Sequence, residues 1–143
     1  MSHLAAIDPG LSKCGLVLAE VEQLQVLAAG VLPPERCQAL LLEWAGSPGC
    51  VAVLLGDGTG SRPWQQWLRS HQLSVHLIPE AGTTLAARER YWQLEPARGW
   101  LRWLPRGLRL PPRDVDDVVA QLLLERHLGQ ALSRRPGLEL LSR

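Results

Sequence analysis

The chain has 143 residues and a formal net charge of +1, with 15 Lys and Arg against 14 Asp and Glu, and its length predicts one domain, residues 1–143. Three cysteines without a paired spacing such as C-x-x-C exclude a disulfide framework and indicate reduced thiols. No stretch approaches the roughly 20 apolar residues of a membrane span, and the N-terminal segment lacks signal-peptide form, so we expect a cytoplasmic protein without membrane contact.

The first third of the chain predicts an antiparallel meander of three strands. One apolar stretch ends at Asp8, and two more occupy residues 15–20 and 24–32, with short polar turns between them. Pro33-Pro34 ends the third strand and begins a helix that extends to about Trp44.

In the rest of the chain, strands alternate with helices. Apolar runs at Cys50–Leu55 and 73–78 predict two further strands, each followed by a helical pattern, and a last helix is expected from Asp114 to about Leu132. Residues 94–112 have no regular pattern. The predicted fold is α/β: a three-layer sandwich with a five-stranded mixed sheet, strands one to three antiparallel and strands four and five parallel, and flanking helices.

Acidic side chains fall at the ends of the predicted elements. Asp8 ends the first strand, Glu80 follows the fifth, and Asp114, Asp116 and Asp117 open the last helix. In layered α/β folds, functional sites gather at the carboxyl ends of strands. Each acid also has an ordinary explanation, since Asp is common in turns and at helix starts, and a Glu at a strand end is often only solvated.

Three acids within four residues exceed what helix capping explains, because neighbouring carboxylates repel unless a cation or buried hydrogen bonds compensate. Mg²⁺ and Mn²⁺ prefer carboxylate oxygens, and no His or Cys cluster in the sequence competes for a softer metal. Two such ions about 3.5–4 Å apart would activate a water for phosphodiester cleavage. The acids therefore predict a hard-cation site.

The ordered combination of these motifs resembles the ribonuclease H-like superfamily, and within it the RuvC-type Holliday-junction resolvases and the YqgF-type nucleases of pre-16S rRNA processing. The turn Ile7-Asp8-Pro9-Gly10, followed by Gly15, is similar to their opening motif. Residues 80–88 resemble the YqgF fifth-strand motif, and residues 116–128 resemble its closing helix. Residues 56–59 stand where that family has a Gly-rich loop, so the resemblance covers nearly the whole chain.

The resemblance implies a catalytic and metal-binding set of Asp8, Glu80, Asp116 and Asp117, with Mg²⁺ or Mn²⁺ as the cofactor. The last acid has two registrations. The YqgF pattern selects Asp116, whereas the RuvC pattern selects Asp114 and Asp117, so Asp114 is the alternative last acid.

The chain departs from the YqgF pattern beside the fifth strand. Pro79 and Ala81 stand where that family has Asp and Arg, and Leu11 stands where Ser or Thr is typical. These departures leave open a second interpretation, a catalytically decayed ribonuclease H-like module that binds nucleic acid or protein. A phosphotransferase of the actin-like superfamily is disfavoured, because that fold normally needs two such domains.

One segment of the chain is strongly basic, with seven arginines against two acids between Arg88 and Arg113. Guanidinium groups suit phosphates and aromatic rings stack on bases, so the segment predicts a nucleic-acid surface. The alternative is that Trp100 and Trp103 anchor an irregular loop in the core while the arginines are merely solvated. The predicted contacts are Lys13, Arg88, Arg90, Arg98, Arg102, Arg106, Arg109 and Arg113.

Together these patterns predict a metal-dependent endonuclease that hydrolyses phosphodiester bonds of structured nucleic acid. The expected partner is branched DNA, such as a Holliday junction, or an rRNA precursor. Because a four-way junction is two-fold symmetric, a homodimer is the further assembly to test.

Overall fold

The computed structural model describes residues 2–47, 49–58, 60–97, 99–105, 108, 110–111, 113–138 and 140–141, and of residues 50 and 51 the backbone alone. Within this part of the chain the strands are β1 (His3–Asp8), β2 (Cys14–Glu20), β3 (Gln25–Leu32), β4 (Cys50–Gly56), β5 (Val75–Ile78), β6 (Ser133–Arg134) and β7 (Leu140–Leu141). The helices are α1 (Pro34–Gly46), α2 (Ser61–Ser70), α3 (Thr83–Leu94) and α4 (Asp116–Leu128), with a short 3₁₀ helix at Gly99–Trp103.

All the strands belong to one mixed sheet, in the order β5-β4-β1-β2-β3-β6, with β7 also pairing with β3. β1, β2 and β3 pair antiparallel, whereas β4 is parallel to β1 and β5 is parallel to β4. The predicted meander and the predicted parallel pairing are therefore confirmed.

The prediction of five strands is wrong, because the described residues form seven. α4 ends at Leu128 and not at Leu132: Gly129, with φ +70°, takes the left-handed conformation that terminates helices. The chain then returns along β3, and the Ser133 N–H donates to the Leu24 carbonyl at 3.0 Å. β6 and β7 have only two residues each, too few to produce an alternating apolar pattern.

The start of α4 also differs from the prediction. The helix begins at Asp116, and Val115 is its N-cap residue. Asp114 precedes the helix, and its carbonyl accepts a hydrogen bond of 2.8 Å from the Arg113 guanidinium. Asp114 and Asp117 therefore do not share a helix face.

β1 shows how the sheet is covered on both sides. Ala5 and Ile7 are buried on the face that α1 and α2 cover. Leu4 and Ala6 are buried on the opposite face, against α4. α3 packs on α4, so helices flank the sheet on both faces, as predicted. None of the helices in the described ranges has the length and apolar character needed to cross a bilayer.

Candidate active site

The turn after β1 brings Asp8 next to the start of α4. Asp8 is the last residue of β1 and pairs across the ladder with Gly15 of β2. A Cβ added at Gly15 would overlap the Asp116 carbonyl group, so the first residue of α4 lies directly on the hairpin. Only a residue without a side chain permits this approach, which is why Gly15 follows the Asp8 turn. The turn is braced from below by the buried Cys14, whose Sγ accepts a hydrogen bond of 3.5 Å from the Gly10 amide.

Glu80 reaches the same end of the sheet from the other side. It lies two residues after β5, and its carboxylate folds back over the end of β4, the strand between β1 and β5. A Cβ added at Gly56 would lie 2.7 Å from Glu80 Oε2, and one added at Gly58 would overlap Oε1. The two glycines therefore make the space that the carboxylate occupies.

The backbone around Glu80 is fixed by side chains that the sequence motifs did not single out. Asp57 Oδ1 accepts a hydrogen bond of 3.2 Å from the Glu80 amide. The Arg126 guanidinium, from the last turn of α4, donates to the carbonyls of Pro79 at 2.8 Å and Ala81 at 3.0 Å. Arg126 and Asp57 thus fix the loop through its backbone, on both sides of Glu80.

The three acids Asp8, Glu80 and Asp116 create an excess of negative charge. Burial, together with the charges of Asp116 and Glu80, raises the pKa of Asp8 to about 7. Burial and the charge of Asp114 also raise the pKa of Asp116, and Lys13 opposes that shift. Charged carboxylates in such surroundings are stabilised by a cation.

The other predicted acids lie differently. Asp117 is fully buried and forms ion pairs with Arg113 at 2.7 Å and with Arg134 at 2.9 Å. Asp114 is 56% exposed in its side chain and pairs with Lys13. The structure therefore brings together Asp8, Glu80 and Asp116, and it directs Asp117 to two guanidinium groups.

A metal ion fits the chemistry of this donor set. Asp8, Glu80 and Asp116 offer only carboxylate oxygens, the ligands that Mg²⁺ and Mn²⁺ prefer. Among the residues described here, no three Asp, Glu, His or Cys side chains already stand close enough to hold an ion. A cation at this site would have to draw the three carboxylates together.

Comparison with known proteins identifies the fold. No family model and no curated protein matches the chain. Among solved structures, T. thermophilus RuvC in complex with a Holliday junction substrate matches with a TM-score of 0.52 and 19% sequence identity, over 92% of this chain and 99% of that one. The chain has a RuvC-like fold. The predicted mixed α/β sheet with flanking helices is thereby confirmed.

Within this RuvC-like fold, several of the predicted nucleic-acid contacts are occupied in internal interactions. Arg90 pairs with Glu125 at 3.2 Å and donates to the Leu132 carbonyl at 2.9 Å. Arg113 pairs with Asp117 and Glu95.

The remaining basic residues are distributed along the surface. Arg88 is exposed on α3, Arg102 is exposed and donates to the Gly99 carbonyl at 3.3 Å, and Lys13 pairs with Asp114. The predictions for Arg98, Arg106 and Arg109 lie outside the described residues.

The space beside Gly58 provides a test of the position of Glu80. Gly58→Ala would push a Cβ into the Glu80 carboxylate, whose flexible end can swing away, so we expect little loss of stability. Because Glu80 then leaves its place over β4, Mn²⁺ affinity should fall by about tenfold, as measured by titration calorimetry. Gly46→Ala is the matched control, since no atom lies within 4 Å of its added Cβ. Unchanged Mn²⁺ affinity in Gly58→Ala would show that the Glu80 carboxylate is not a ligand.

Proposed function

We propose that this chain is a Mg²⁺- or Mn²⁺-dependent endonuclease that hydrolyses phosphodiester bonds of structured nucleic acid. The observation that carries the proposal is the convergence of Asp8, Glu80 and Asp116 at one end of a RuvC-like sheet, in a site with excess negative charge. These three residues are the proposed ligands. A bound ion would act as a Lewis acid that makes water nucleophilic and stabilises the leaving oxygen.

The chain's own residues give this site its shape. Asp8 enters from β1, Asp116 from the start of α4, and Glu80 from the loop after β5, so the carboxylates approach from three separate elements. Arg126 and Asp57 hold the backbone on either side of Glu80, which fixes the position from which its side chain extends. In this proposal Asp117 is a positioning residue, because its ion pairs with Arg113 and Arg134 fix the start of α4.

The substrate that we propose is a branched nucleic acid. The RuvC structure with a similar fold is a complex with a Holliday junction substrate, which supports branched DNA. The YqgF-like motifs at residues 80–88 and 116–128 support an rRNA precursor as the second candidate. A homodimer would match the two-fold symmetry of a four-way junction.

A cleavage assay tests the proposal and separates the two substrates. The panel contains a labelled four-way DNA junction, a DNA duplex, single-stranded RNA and an rRNA-precursor fragment, each with Mg²⁺ or Mn²⁺. We expect the wild-type protein to cleave a branched substrate. Cleavage should stop in chelator, which removes the metal, and in Asp8→Asn protein, which lacks one proposed ligand. Cleavage by Asp8→Asn at the wild-type rate would overturn the site assignment.

The second candidate function is a decayed module that binds nucleic acid without cutting it. Pro79 and Ala81 favour it, because the charged side chains of the YqgF pattern are missing on both sides of Glu80. A decayed site should bind Mn²⁺ no better than an exposed acidic helix end does. This candidate would be supported if the protein retards junction DNA on a gel, does not cleave it, and shows no saturable Mn²⁺ binding.

A further inference from the structure

Two of the six tryptophans lie on the surface of the protein. Trp100 is 71% exposed and Trp103 is 83% exposed, whereas Trp44, Trp64 and Trp92 are buried. Large aromatic rings normally contribute to a core or to an interface. The two exposed rings therefore need an explanation other than packing within this chain.

The rings project from the same face of the 3₁₀ helix Gly99–Trp103. Three residues make one turn of such a helix and rise about 6 Å, so side chains three residues apart lie one above the other. Trp100 and Trp103 have this spacing, and so do Leu101 and Leu104. Leu101 packs against the core between α3 and α4, and Leu104 is half-buried. The leucines anchor the segment, and the alternative in which the tryptophans are its core anchors is wrong.

The 3₁₀ helix belongs to a longer segment, residues 96–112, and Arg113 joins the residues on either side of that segment to the start of α4. Arg113 pairs with Glu95 at 3.1 Å, which joins the residues that flank 96–112. The same guanidinium lies 5.3 Å from the centre of the Tyr91 ring and pairs with Asp117 at 2.7 Å. The segment is thus attached to the turn of α4 that carries Asp116.

The charge of the segment indicates what its exposed rings contact. The sequence from residue 96 to residue 112 has four arginines and no acid. Phosphate groups complement such a segment, and nucleobases stack on indole rings. A purely apolar partner would not explain the arginines, and a phosphate contact alone would not explain the rings.

We propose that Trp100 and Trp103 form a stacking site for unpaired bases of the nucleic acid that the candidate active site cuts. The choice of partner rests on the proposed function. Within a continuous duplex both faces of every base are covered by neighbouring pairs, so two surface indoles can stack only on bases that are unpaired or splayed. The site therefore selects single-stranded segments and branch points over uninterrupted duplex.

Fluorescence anisotropy in chelator measures this preference without cleavage. The probes are a labelled oligothymidylate, a four-way junction and a duplex with capped ends. Because each stacked base contributes substantially to affinity, the double variant Trp100→Ala/Trp103→Ala should bind oligothymidylate at least about tenfold more weakly. Its affinity for the capped duplex should change by less than about twofold. Trp100→Phe/Trp103→Phe should recover most of the loss, since an aromatic ring is restored.

Leu42→Ala is the control, because this exposed apolar side chain lies on α1, on the opposite face of the sheet. It should leave the affinity for every probe unchanged. Equal losses on oligothymidylate and capped duplex, or no loss on either, would overturn the stacking site. So would an alanine variant that changes only the oligomeric state, which would mark the rings as a contact between copies.

The two proposals fail separately in this design. If wild-type protein cuts the junction but the alanine variant binds every probe normally, the stacking site is refuted and the nuclease stands. If no substrate is cut with Mg²⁺ or Mn²⁺ but the selective loss on oligothymidylate is found, the nuclease is refuted and the stacking site stands.

Discussion

Asp117→Asn is expected to lower the free energy of unfolding by about 3 kcal/mol, which corresponds to a fall in melting temperature of roughly 6–12 °C for a domain of this size. The substitution removes the negative charge that lies between the Arg113 and Arg134 guanidinium groups, and Arg113 then retains the more exposed Glu95 as an ion-pair partner. Arg113 and Arg134 are 24% and 13% exposed in their side chains, so neither can be fully hydrated after the loss. Breaking one partner of such a network is costly because it leaves a charge desolvated and unpaired.

Urea unfolding in chelator checks this expectation, because no bound metal then contributes to stability. Asp114→Asn is the control: its carboxylate is largely exposed, so its ion pair with Lys13 should contribute less than about 1 kcal/mol. Adding Arg134→Gln to Asp117→Asn should cost less than the sum of the single changes, since the pair is already broken. An Asp117→Asn protein as stable as wild type, but unable to bind Mn²⁺, would instead make Asp117 a metal ligand.

The resemblance to the YqgF pattern selected Asp116, but the residues alone could not separate the roles of Asp116 and Asp117. On a helix, neighbouring residues point about 100° apart, so one of the two had to face away from the candidate site. Arg134, which lies 17 positions later in β6, decides between them, because its guanidinium donates to Asp117 and so holds Asp117 away from the candidate site. Arg113 and Asp117 are four residues apart, but Arg113 precedes α4, so the pairing rule for residues four apart on one helix does not predict their ion pair.

The positions of Asp8 and Glu80 could be predicted from the sequence, because each comes at the end of an apolar run that indicates a strand. Strand ends that meet at one edge of a parallel sheet bring their next residues together, and this follows from pattern alone. The hydrogen bonds from Arg126 to the carbonyls of Pro79 and Ala81 leave no pattern in the sequence, because every residue has a backbone carbonyl. The positive charge of residues 88–113 was likewise predictable, but neither the internal ion pairs of Arg113 nor the exposure of Trp100 and Trp103 was.

Asp8→Asn is expected to stabilise the metal-free protein, the opposite of Asp117→Asn. The Asp8 carboxylate is half-buried among negative charges, and its pKa is raised to about 7. Asn has nearly the same shape without the charge, so the substitution removes both the cost of burying a charge and the repulsion from the neighbouring carboxylates. We expect a gain of about 1–2 kcal/mol at pH 8, well below the full value of such a pKa shift because solvent screens this partly exposed site.

The gain should depend on pH in a defined direction. The ordinary pKa of Asp is 3.8, so between about pH 4 and pH 7 the folded wild-type protein holds a proton that the unfolded chain has lost. The free energy of unfolding of the wild-type protein therefore falls as the pH rises through this window, and the fall is complete above about pH 7. Asp8→Asn should match wild type near pH 4 and exceed it most at pH 8.

Adding Mn²⁺ should reverse the order of stability at pH 8. A ligand that binds only the folded state at about 100 times its dissociation constant adds roughly 2.7 kcal/mol to wild type, and Asp8→Asn lacks the charge that holds it. Urea titrations of both proteins at pH 4 and pH 8, with chelator or Mn²⁺, resolve the two effects. A gain in Asp8→Asn that stays constant with pH would trace to packing, and the charge excess would then not be what prepares this site for a cation.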